Sequence, residues 1–67
     1  MAAMLIHVID REITTEKFDT LEKAREEMQR QYDLYIDNAD EGEIEENSAW
    51  MNSCDDEVHD DWMIVEL

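Results

Sequence analysis

The sequence predicts an α+β fold: a small antiparallel sheet of three strands, or four if a short second one pairs back, with one helix packed on a face, in the order β(β)αββ. Three observations lead there. Short runs rich in β-branched and aromatic residues lie at both ends of the chain. A central stretch, Leu21 to Ile36, carries its apolar residues at helical spacing. The last two apolar runs flank an acidic turn, as hairpin strands do. A chain of 67 residues has room for one domain, 1–67, and one modest core.

Met4–Asp10 (MLIHVID) reads as the first strand, with Met4, Ile6 and Val8 on one face and Leu5, His7 and Ile9 on the other. His7 is expected at the sheet surface. Arg11–Thr14 has polar turn chemistry, and Thr15–Phe18 is the segment that would extend or pair back briefly. Asp19 and Thr20 supply helix-capping side chains, with Glu22 three residues after Asp19 as in a capping box. Leu21, Ala24, Met28, Tyr32, Tyr35 and Ile36 then form one stripe on a helix of about four turns. Glu22–Arg25, Glu26–Arg30 and Glu27–Arg30 are spaced for surface ion pairs. The helix fades at Asp37–Asn38, and Asp37–Asn47 reads as an acidic connection holding the single glycine, Gly42. Ser48–Cys54 and Asp60–Leu67 read as the closing hairpin. In its second strand Met63, Val65 and Leu67 share one face, and Trp62 and Ile64 the other. Trp50 and Trp62 are expected to cover the core beneath the helix, unless one anchors a partner. One helix cannot cover both faces of the sheet, so homodimerisation or partner binding would cover the second.

Charge is the most informative functional feature. Twenty acids against five bases give a formal net charge of −15. Residues 1–30 hold seven acids and all five bases, whereas residues 31–67 hold thirteen acids and no Lys or Arg. Such a field repels nucleic acid and anionic lipid and attracts basic surfaces. It exceeds the roughly 2–8 charges that solubility asks of a small domain. One cysteine, Cys54, excludes an internal disulfide framework and suits a reducing cytoplasm. Met1–Ile9 has an apolar run but no basic n-region and no sufficient h-region for a signal peptide, and no stretch approaches a membrane span.

Catalytic and metal motifs are poorly formed. Asp37–Ser48 resembles a calcium loop at its first, sixth and eighth positions (Asp37, Gly42, Ile44). Ala39 replaces the third-position ligand, and Ser48 replaces the bidentate glutamate at the twelfth. Cys54, His59, Asp60 and Asp61 lack the spaced pairs of a zinc site, and neighbouring acids oppose thiolate formation at Cys54. No glycine-rich phosphate loop is present. The expectation is a protein that is not an enzyme and takes no cofactor or metal.

A domain of this size has an expected radius of gyration near ~11 Å and a diameter of roughly 28 Å. Fifteen charges over that length is one per ~1.9 Å, against ~1.7 Å in duplex DNA. Carboxylates on one face of a strand recur every ~6.7 Å, so a hairpin presents charge at fixed intervals. The expected partner-binding acids are Asp37, Asp40, Glu41, Glu43, Glu45 and Glu46 in the connection, with Asp55, Asp56, Glu57, Asp60 and Asp61 at the hairpin.

The size, the charge, the element order and this acidic hairpin resemble phage-encoded DNA mimics, among them anti-CRISPR inhibitors of type II Cas9. Phe18-Asp19-Thr20-Leu21-Glu22-Lys23-Ala24 and Asp61-Trp62-Met63-Ile64-Val65-Glu66-Leu67 are similar to text in small proteins of phages and mobile elements. The resemblance implies binding to a basic DNA-binding protein, Cas9 with its guide RNA, where DNA or its PAM should go. It implies no direct contact with nucleic acid or membrane, and a cytoplasmic location in a bacterial host. The alternative is a small accessory protein that dimerises.

Overall fold

The computed structural model describes residues 2–10, 12–53 and 58–67. Six elements follow one another: β1 (Ala3–Ile9), β2 (Glu12–Phe18), α1 (Leu21–Ile36), β3 (Glu41–Ile44), β4 (Ser48–Ser53) and β5 (Val58–Glu66). They form one helix and a five-stranded antiparallel sheet in the order β2-β1-β5-β4-β3. The expected three or four strands thus become five. The additional strand, β3, lies inside the segment read as an acidic connection, and the short pairing segment extends to a full strand, β2.

The first hairpin is closed by the pair Ile9↔Glu12. Asp10 takes φ 55°, in the left-handed region that the turns of right-twisted hairpins require and that Asp tolerates better than most residues. The helix starts at Thr20, not through the Asp19 capping box. Thr20 has extended φ/ψ and its Oγ1 accepts from the Lys23 amide at 3.2 Å, satisfying one of the free donors of the first turn. The Asp37 amide closes the other end on the Tyr35 carbonyl. Of the three spaced ion pairs, Glu27–Arg30 forms, while Arg25 reaches across to the β3–β4 turn.

The core lies between α1 and one face of the sheet. Ala24, Met28 and Tyr32 pack on Ala3, Leu5, Ala49, Met51, Trp62 and Ile64. Two large side chains, Trp62 and Met28, are almost wholly enclosed. The expected stripe therefore holds, except that Tyr35 is 44% exposed. Gln31, one residue before Tyr32, turns inward and accepts from the Trp62 indole Nε1 at 2.9 Å. A buried indole N–H needs such a partner. Trp62 also meets Tyr32 edge-on, with ring centroids 6.1 Å apart.

Gly42 permits the helix C-terminus to settle on β3. A Cβ there would lie 2.8 Å from Ile36 Cδ1, 2.9 Å from the Tyr32 hydroxyl and 3.0 Å from the Trp50 carbonyl oxygen. The segment with calcium-loop likeness is thus a helix end, a strand and a tight turn, in which the Glu45 amide donates to the Ser48 carbonyl at 2.7 Å.

The molecule measures 38 × 20 × 15 Å, with a Cα radius of gyration of 11.7 Å. It is longer than the rounded body expected. Fifteen charges over 38 Å is about one per 2.5 Å, sparser than in duplex DNA. Among the described residues, no helix is long and apolar enough to cross a membrane.

Candidate functional site

Strand alternation divides the expected partner-binding acids among different surfaces. Asp37, Asp40, Glu41, Glu43, Glu45 and Glu46 follow one another from the helix end, along β3 and into the β3–β4 turn. β3 is an edge strand, bonded only to β4, so this run borders one side of the sheet. All six are exposed. Glu41 accepts from Asn52 Nδ2 at 3.0 Å. Glu46 pairs with Arg25 at 2.8 Å, and Arg25 Nε also donates to Asn47 Oδ1 at 2.9 Å, tying the turn to the helix. That ion pair partly neutralises the end of the run. Asp55, Asp56 and Glu57, like Cys54, lie outside the described residues.

Asp60 and Asp61 point to opposite faces. Asp60 is 7% exposed, on the helix side of β5, with Oδ1 3.4 Å from His7 Nε2. Those two atoms are close enough for an ion pair but misaligned for a hydrogen bond. Asp60 is therefore a core carboxylate and not, as expected, a group offered to a partner. His7, expected at the sheet surface, instead stacks its ring on Trp62 on the helix side, with its side chain 14% exposed. Asp61 faces the other side, and its Oδ2 lies 2.9 Å from His59 Nε2. The cluster of His59, Asp60 and Asp61 read from the sequence is thus split by the pleat. Among the described residues, no group of His, Cys, Asp and Glu side chains is placed to hold a metal.

Among the described residues, no element covers the face of the sheet away from the helix. Its register places residues in rows across the strands. One row runs Glu43, Trp50, Asp61, Val8, Ile13, from β3 to β2. The next holds Ser48, Met63, Ile6 and Thr15, and a third Val65, Met4 and Lys17. Ile13, Met63 and Val65 are 67%, 56% and 40% exposed, large values for apolar side chains in a sheet. Between β1 and β4 a shallow groove of about 410 Å³ is walled by Ile6, Val8, Trp50 and Met63, with Asp61 on its margin. Trp50, expected in the core, stands on this open face because it is one residue out of phase with buried Ala49 and Met51.

Beside the groove a polar chain crosses three strands. Glu41 accepts from Asn52 Nδ2, Asn52 Oδ1 lies against His59 Nδ1, and His59 Nε2 lies 2.9 Å from Asp61 Oδ2. The His59 ring lies 18° from parallel to Trp50, at a centroid distance of 6.3 Å. These contacts fix the carboxylates of Glu41 and Asp61 on either side of Trp50.

Among the described residues, one carboxylate is strongly shifted, and it lies elsewhere. Glu27, on the helix, is held down to about 2, first by its hydrogen bonds to Arg30 and then by Gln31. The same contact raises Arg30 above the ordinary guanidinium value. This pair is a helix-surface clasp remote from the open face. The chain matches no family model, and neither a curated protein nor a solved structure shows significant similarity to it.

Proposed function

We propose that this chain is a non-enzymatic acidic protein that binds a basic, nucleic-acid-binding protein surface and blocks it by occlusion, as a DNA mimic does. The observation that carries the reading is the run Asp37, Asp40, Glu41, Glu43, Glu45 and Glu46 bordering one edge of the sheet. The sequence from residue 31 onward contains no Lys or Arg, and Arg25 of the helix offsets Glu46 at the end of the run. Cross-strand pairing holds Glu41 and Glu43 on the same face of β3, about 6.7 Å apart. Carboxylates held at such intervals match the Arg and Lys that line phosphate-binding grooves. The resemblance to anti-CRISPR proteins makes a Cas9-type effector with its guide RNA the first target to examine, at the site that receives PAM-bearing DNA.

The test is a DNA-cleavage assay with Glu41→Lys/Glu43→Lys, both exposed side chains, after circular dichroism has shown an unchanged fold. The account expects inhibition by the native chain and at least tenfold weaker inhibition by the variant. Equal inhibition by the two proteins, or none by the native chain, contradicts it for this effector. The open apolar face favours a second reading, a small interaction protein that dimerises. Sedimentation showing a tight homodimer without affinity for basic proteins selects that reading.

A further inference from the structure

The acidic edge leaves the open sheet face unexplained, and the two meet at Trp50. In the row Glu43–Trp50–Asp61, antiparallel register sets each carboxylate directly opposite the tryptophan, with Cα separations of roughly 4.5–5.5 Å. An indole bracketed by two carboxylates attracts a cation twice over: its π face favours it and the flanking charges hold it, with His59, which lies against Trp50 and Asp61, giving up or sharing Asp61. Arginine fits best, because its guanidinium stacks flat on an aromatic ring while its fork pairs with carboxylate oxygens. The Ile6, Val8 and Met63 walls of the groove begin beside this platform and supply apolar surface for the partner's neighbouring side chains.

Charge decides the occupant. A second copy would bring another net −15 and would bury Glu43 and Asp61 with only Lys17, among the described residues, as a Lys or Arg on the same face. A basic partner gains from each of these groups. The footprint is adequate: the strands hold 7, 7, 4, 6 and 9 residues, and at ~4.8 Å by ~3.3 Å for each residue they give about 520 Å² per side, or about 1,050 Å² in total. That clears the ~1,000 Å² of a specific interface.

We infer that the open sheet face is a docking surface for a basic protein that inserts an arginine between Glu43 and Asp61 on Trp50 and lays apolar side chains into the adjoining groove. The inference rests on the proposed basic partner and moves the specificity of that contact from the β3 edge to the sheet face. The acidic edge then steers the encounter, and the face selects the partner.

The experiment uses the full chain and three blocked peptides of equal charge: repeats of Arg-Leu-Leu-Arg, of Arg-Gly-Gly-Arg and of Lys-Leu-Leu-Lys. Binding is followed residue by residue through amide and indole NMR shifts. The Arg-Leu peptide is expected to bind at least tenfold more tightly than the Arg-Gly peptide and more tightly than the lysine peptide. Its shifts should centre on Val8, Trp50, Asp61 and Met63, while the buried Trp62 indole stays in place as a marker of the intact core. Glu43→Gln/Asp61→Asn should weaken it at least fivefold, and Met63→Glu should weaken the Arg-Leu peptide selectively. If both arginine peptides bind equally and move only residues 37–46, this inference falls and the acidic-edge reading survives. If none of the peptides binds, both fall. Concentration-dependent shifts of Trp50 and Met63 without peptide would show a second copy on the face and also overturn it.

Discussion

The His7 imidazole lies flat against the Trp62 indole, with ring centroids 4.5 Å apart and planes within 6°. Both belong to the helix side of the sheet and are opposed in register between β1 and β5. The stack brings His7 Nε2 to 3.4 Å from the buried Asp60 carboxylate. Three residues that the sequence scatters across surface and core are therefore one unit. A buried carboxylate is destabilised further when the polar group beside it is replaced by an apolar one. His7→Phe, which keeps an aromatic ring on Trp62, should lower stability by about 2 kcal/mol in urea unfolding. The double change His7→Phe/Asp60→Asn should cost less than the sum of the two single changes by about 1 kcal/mol. Strict additivity would show that the two side chains do not interact.

Close approach at Gly42 predicts a second effect. A side chain there must displace Ile36 and Tyr32, and Trp50 contributes a backbone oxygen that yields less easily. Gly42→Val should destabilise the chain by about 1–3 kcal/mol, with Gly42→Ala at the lower end. Thermal unfolding measures both. A neutral Gly42→Val would mean that the helix end is not seated on β3.

Much of the core was legible before the structure. The apolar stripe of α1 and the alternation in DWMIVEL were readable because a helix and a half-buried strand impose clean periods, 3.6 and 2. β3 was hidden because EGEI looks like a solvated connection. Its signal was alternation: Glu41 and Glu43 turn away from the helix, and Gly42 and Ile44 turn toward it. Trp50 and Trp62 could not be ranked by composition, since both sit in apolar strands. Only the register, with Ala49 opposite Trp62, places one inside and the other outside. For the candidate site, local charge density located the β3 run, but adjacency grouped Asp60 with Asp61, which the pleat separates. The polar chain Glu41–Asn52–His59–Asp61 joins three strands and has no local signature.

The clasp between Glu27 and Arg30 gives a pH dependence of defined sign. Folding lowers the Glu27 carboxyl from 4.5 to about 2, so the folded state favours its charged form. The resulting stabilisation is present above pH ~4.5 and disappears as pH falls toward about 2. Native chain and Glu27→Gln should differ slightly near neutral pH, less in high salt, and converge near pH 2. A gap that widens on acidification would contradict this assignment.

The proposed competition sets the acid-rich, lysine- and arginine-free portion against DNA for a cationic nucleic-acid site. Its most direct measurement is the affinity of the native chain for a guide-loaded Cas9-type effector at rising salt, with and without a PAM-containing duplex. The dissociation constant is expected to rise at least tenfold between roughly 50 and 500 mM salt, and the duplex to displace the chain. Salt-independent binding, or simultaneous binding of chain and duplex, would contradict it.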